Sequence, residues 1–376
     1  MDVKYRFLLI FAIVLTLITC SIKLQQNLGV FTPTQLTSVS PKHTIIVFVH
    51  GTILPLPSPS CMFSALNKRF ERDRKEKKSW SKYYYEELRY KTLFKCKPIG
   101  DYGLEKVEDV CTAKYPYTQK AASIYANSYK FANKEKSANL HFYTFGWDGR
   151  LRHKSRVNSA RTLYQSLIQE IDTLKNRFNL SEQDIEVILL GHSHGGNVLL
   201  NLAKAEEEFK KNLTVNKLLL FGTPVQKETS QFINSPTFEK IYNFYSKDDM
   251  LQVADIISTK SKSKRCYKNN SAESKLVQIE LKIGKKKPWH AELWLFGGSS
   301  RFIYRPSLAI YPLPAFLFSP IIINELEQKY PKAHDIFAQI DKDKKAHTFS
   351  VNVKNKELNK SPESVSIPEE AFAHNY

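Results

Sequence analysis

Residues 185–205 read IEVILLGHSHGGNVLLNLAKA, and this stretch decides the fold. Ile185–Leu190 is an apolar, β-branched run interrupted only by Glu186, with the length of one strand buried on both faces. A helical run follows from Asn197 to Lys210. Between them, Gly191-His192-Ser193-His194-Gly195 fits Gly-x-Ser-x-Gly, and Gly196 follows. The spacing has a steric reason. A serine on a tight strand-to-helix turn takes a strained backbone conformation. Side chains two positions to either side would clash, so those positions are glycine. The strain lifts the hydroxyl over the sheet, beside the positive end of the next helix. Glycine is only 13 of 376 residues, so a chance match has a probability of about a few per cent.

Outward from this turn, strands and helices alternate. Thr44–His50 (TIIVFVH), Leu140–Phe145 (LHFYTF), Lys217–Phe221 (KLLLF), Ile241–Tyr245 (IYNFY) and Leu276–Ile283 (LVQIELKI) read as strands. Residues 155–177 form a helix whose apolar stripe is Val157, Ala160, Leu163, Tyr164, Leu167, Ile168, Ile171 and Leu174. Such alternation predicts right-handed βαβ units and a mostly parallel sheet with flanking helices, the functional residues lying past the C-terminal strand ends.

The α/β domain is expected over residues 44–330. It carries a long insertion at 53–138, with helices at Ser64–Lys75 and Ala121–Lys134. Aromatic and basic residues mix within the insertion, among them Trp80, Tyr83, Tyr84, Lys77, Lys78 and Arg89, a composition suited to a lid at a lipid surface. Phe302–Ile323 is apolar, but Pro306, Pro312, Pro314 and Pro320 speak against a spanning helix. Residues 331–376 are expected as a charged C-terminal tail without regular structure.

A net charge of +19 favours anionic partners. No helix-turn-helix, zinc-finger or RNP-like pattern occurs, so nucleic acid is not an expected partner. Lys4 and Arg6 precede the uncharged run Phe7–Thr19 and then Cys20. Residues 1–20 thus read as a signal peptide or membrane anchor and 21–43 as a tether, placing the chain outside the cytoplasm. On export, Cys61, Cys96, Cys111 and Cys266 could close two disulfides in three pairings. The oligomeric state is left open.

TIIVFVHGT at 44–52, with GHSHGG at 191–196, resembles the lipase and esterase branch of the α/β hydrolases, over about residues 44–300. The resemblance implies an α/β-hydrolase fold in which the insertion follows the oxyanion strand. It implies Ser193 as nucleophile, then an acid, then a histidine in chain order. His50-Gly51 marks the oxyanion loop, with Thr52 and His194 supplying N–H groups to the oxyanion. After strand IYNFY, Tyr245-Ser246-Lys247-Asp248-Asp249-Met250-Leu251 fits the branch's pattern with Asp249 as the acid. Asp248 competes with it, and Asp255 is the next candidate. His290 lies seven residues past LVQIELKI, where similar enzymes place the base; His334, His347 and His374 are the alternatives. His192 and His194 read as shaping the elbow, and His50 as orienting its loop. The implied chemistry is cleavage of carboxylic esters, lipid or lipid-like, at or near a membrane. It needs no metal and no cofactor.

Overall fold

The computed structural model describes residues 42–53, 96–134, 138–253, 262–268, 275–296, 313–343, 345–357 and 363–372. The N-terminal segment and tether before residue 42, the helix expected at Ser64–Lys75, the aromatic and basic residues 77–89, Asp255, Cys61 and His374 lie outside them.

Among the described residues, ten strands form one sheet. β1 (Lys42–Val49) is an interior strand, third from one edge, and pairs in parallel with β3 (Ala138–Gly146) on one side and β4 (Ile185–His192) on the other. From β4 the sheet continues in parallel through β5 (Val215–Phe221), β6 (Phe238–Tyr245), β7 (Leu276–Ile283) and β8 (Asp335–Asp343). The edges are antiparallel: β2 (Gly103–Lys106) beside β3, and β9 (Thr348–Asn355) then β10 (Glu363–Pro368) beyond β8. The chain thus runs from β1 to β3, then crosses to β4 on the far side of β1. Such a reversal marks the place, past the C-terminal ends of β1 and β4, where ligands bind in open α/β sheets.

Both faces of the sheet are covered around β1, β4 and β5, which is why these strands carry continuous apolar runs rather than alternating ones. On one face Ile46, Phe48, Ile188, Leu190, Leu219 and Phe221 pack under α1 (Thr118–Ala132) and α5 (Ser319–Lys329). On the other, Ile45, Val47, Val49, Val187, Leu189 and Leu220 pack under α2 (His153–Phe178), α3 (His194–Leu200) and α4 (Leu202–Phe209). The expected stripe of α2 faces this second layer, with Ile168 and Ile171 only partly covered.

Four expectations are corrected. The helix read as one piece from Asn197 to Lys210 is two, because Asn201 Nδ2 takes the Asn197 carbonyl at 2.6 Å and competes with the backbone ladder. The C-terminal stretch is not a loose tail. Ile336, Ala338 and Ile340 of β8 and Phe349, Val351 and Val353 of β9 are buried at every second position, so these strands extend the core. The insertion is not merely a cover over the sheet: its second half supplies the edge strand β2 and the core helix α1, with Ala121, Ile124 and Tyr125 buried. Among the described residues, Cys111 is an exposed free thiol and Cys266 a half-buried one, so two disulfides do not form. No described helix is long and apolar enough to cross a membrane.

Candidate active site

Three strand ends deliver the candidate residues to one place. In β4, Gly191 stands level with Val49 of β1 and Leu220 of β5. The residues just past these strands are therefore neighbours. Ser193 follows β4 with φ 53 and ψ −129, a strained conformation for a non-glycine residue. Its N–H is held by the Phe221 carbonyl at 2.9 Å. A Cβ on Gly191 would lie 2.8 Å from the Gly196 Cα, and one on Gly195 would lie 2.5 Å from the His50 carbonyl oxygen. The glycine spacing thus lets helix α3 press against both β4 and the end of β1. His194, the first residue of α3, turns its N–H out of the helix's own ladder.

The loop after β1 is fastened from behind. His50 is fully buried and its Nδ1 donates to the Gly51 carbonyl at 2.7 Å. Its Nε2 accepts from the Trp147 N–H at 3.2 Å, while the Trp147 indole donates to the His50 carbonyl at 2.7 Å. Those bonds fix His50 as the neutral Nδ1–H tautomer and leave it no part as a base. Ile53 N–H bonds the Gly149 carbonyl at 3.1 Å. Thr52 sits between these anchors, half-buried, and its Oγ1 meets no hydrogen-bond partner among the described residues.

After β6, Asp249 turns inward and Asp248 outward into solvent. Asp249 is 1% exposed. Its Oδ1 accepts from the Gln252 N–H at 3.1 Å, and its Oδ2 lies 2.7 Å from His290 Nδ1. His290 opens a short turn, His290–Leu293, past β7. The structure therefore brings Asp249 and His290 together and leaves Asp248 outside. The rival histidines lie elsewhere: His334 contacts the Leu276 carbonyl at the start of β7, and the exposed His347 lies near Glu369.

Two residues of this cluster carry no signal in the sequence beyond their place in the chain. Gly222, after β5, has φ +57, and a Cβ there would come within 2.9 Å of Asp249 Oδ2 and 3.0 Å of His290 Nδ1. Its missing side chain is the space in which the acid and histidine meet. Trp294 packs against Phe316 at 4.5 Å and Phe221 at 5.7 Å, and so ties the histidine turn to the core. Among the described residues no cluster of three or more His, Cys, Asp or Glu side chains is arranged to hold a metal ion.

Residues 116–275 match the family described as PGAP1-like alpha/beta domain, part of the α/β-hydrolase superfamily. The fold is that of an α/β hydrolase. The match runs from the start of α1 to the start of β7 and takes in Ser193 and Asp249; the oxyanion loop and His290 lie outside it. No curated protein and no solved structure shows significant similarity to the chain.

Proposed function

We propose that the chain is a serine hydrolase of carboxylic esters, with Ser193 as nucleophile, His290 as general base and Asp249 as its orienting acid. The observation that carries this reading is the 2.7 Å bond between His290 Nδ1 and a fully buried Asp249, beside a serine in a strained elbow. With Nδ1 committed to Asp249, His290 has only Nε2 left to take a proton. Ser193 Oγ attacks the ester carbon as its proton passes to Nε2. The carbonyl oxygen becomes an oxyanion, held by the N–H groups of Thr52 and His194. The tetrahedral intermediate then collapses. The alcohol leaves with the proton from His290, and Ser193 remains acylated. Water, deprotonated by the same imidazole, releases the acid.

A lipid or lipid-like ester at a membrane is supported by the net charge of +19 and by the uncharged run Phe7–Thr19 at the start of the chain. The same run supports an exported, membrane-attached protein. A fluorophosphonate probe tests the class. It should label the parent protein at Ser193, and Ser193→Ala should neither label nor hydrolyse esters. Undiminished hydrolysis by Ser193→Ala ends the serine-hydrolase reading. Hydrolysis of short soluble esters with none on long-chain lipid vesicles would retain the chemistry and remove the lipid.

A further inference from the structure

The residue before the nucleophile reaches the base. His192 Nε2 lies 3.1 Å from the backbone carbonyl oxygen of His290. The His192 ring lies 4.6 Å from the His290 ring and stacks on Trp294 at 5.6 Å, with 6° between the planes. A carbonyl can only accept, so Nε2 carries the proton. In a neutral ring Nδ1 is then a bare lone pair, and it meets no hydrogen-bond partner among the described residues.

The surroundings keep the ring neutral. It is buried, and burial is the largest cause that drives its pKa well below the ordinary histidine value. His290 on the turn after β7, Lys97 from the insertion and His50 from the end of β1 add to this by disfavouring a second positive charge. The nearby carboxylate, Asp249, is bonded to His290 instead. His192 is thus a donor of fixed direction.

The geometry points to His192 as a positioning residue for the reaction: its Nε2–H clamps the main chain of His290, so one side chain ties the nucleophile's own strand to the base. The inference rests on the reading of Ser193 and His290 as nucleophile and base. Asp249 holds the imidazole only at Nδ1, a single point about which the ring and its turn could rock. The bond to the His290 carbonyl supplies a second point. Because His192 is bonded covalently to Ser193, that second point is referenced to the attacking oxygen. The stack on Trp294, itself seated on Phe316 and Phe221, stops the clamp from swinging.

Two substitutions separate the clamp from simple packing. His192→Phe keeps an aromatic ring against Trp294 and loses the donor. His192→Gln loses the ring and keeps an N–H of similar reach. Kinetics on a short soluble ester and thermal unfolding are measured for both. His192→Phe should fold with near-parent stability, with kcat reduced about 10- to 100-fold, the usual cost of a slightly misplaced base. KM should change little. His192→Gln should recover most of kcat, at some loss of stability. Parent-like kcat in His192→Phe overturns the inference. So does an equal fall in both variants that tracks their loss of stability, since that is the signature of packing alone. Fluorophosphonate labelling of the parent protein is scored separately: its failure removes the serine-hydrolase reading itself, whatever the His192 variants do.

Discussion

Replacing Asp249 with Asn preserves shape and changes one property, the ability of both side-chain oxygens to accept. In the parent protein Oδ1 accepts from the Gln252 N–H at 3.1 Å and Oδ2 from His290 Nδ1 at 2.7 Å. An Asn can satisfy only one of these donors. If its oxygen stays with Gln252, its NH2 faces His290 and forces the imidazole proton onto Nε2. That tautomer cannot accept the serine proton. If the amide flips, its NH2 confronts the Gln252 N–H in a buried site, at a cost of about 1–3 kcal/mol. The competent tautomer is therefore depleted by about 5- to 150-fold. Loss of the carboxylate also removes the charge that stabilises the imidazolium. Together these should lower kcat by about 10⁴-fold, or about 5.4 kcal/mol of transition-state stabilisation. The assay is kcat on a short soluble ester, with circular dichroism melting to show that the variant is folded. Asp248→Asn is the control and should stay within about twofold, because Asp248 points into solvent. An Asp249→Asn enzyme within tenfold of the parent, or a more damaged Asp248→Asn, would refute the assignment of the acid.

Three further outcomes are expected. Ser193→Gly should lose hydrolysis and yet melt about 1–2 °C higher, because glycine relieves the strain at φ 53 by more than its added backbone entropy costs, a net of about 1 kcal/mol; an unchanged or lower melting temperature would show that the elbow stores no strain. Val351→Asp places a carboxylate at a fully buried position of β9 and should destabilise the protein by more than about 3 kcal/mol; a loss below about 0.5 kcal/mol in denaturant titration would restore the picture of an unstructured tail. Replacing residues 76–95 with a short Gly/Ser linker should lower activity on anionic vesicles much more than on a short ester, with vesicle binding that weakens as salt rises. The cut stops at 95 because the Cys96 carbonyl accepts from the Phe296 N–H and Lys97 is buried. Equal loss on both substrates would mark the segment as structural only.

What could be read from the sequence follows from how each element is buried. Parallel strands covered on both faces leave runs such as TIIVFV and IEVILL, which stand out in a chain that is otherwise a quarter charged. The elbow is legible because its sterics demand glycines at fixed spacing. The β8–β9 hairpin was hidden because its outward positions include Asp335, Gln339, Asp341, Asn352 and Lys354, and their polarity masks the period-two burial between them. The choice between Asp248 and Asp249 turns on which way one loop residue faces past β6, and side-chain direction in a loop has no period to read. Gly222 and Trp294 act through residues about 20 to 70 positions distant in the chain, a range local pattern does not reach. For His192, adjacency to Ser193 is visible, but its bond to the His290 carbonyl exists only once β4 and the turn after β7 are side by side.

The interior place of β1 has a cost during biosynthesis. It is the first strand of the sheet to be made, and both of its neighbours are made much later: Val49 pairs with Phe145 and with Gly191. At ordinary translation rates the wait for β4 is on the order of 10 s. Throughout it, Thr44–Val49 presents six uncharged residues, free of proline and rich in β-branched side chains. Such a segment seeds intermolecular β-pairing when left exposed. Shielding of Thr44–Val49 until β4 arrives to pair with it would remove that hazard.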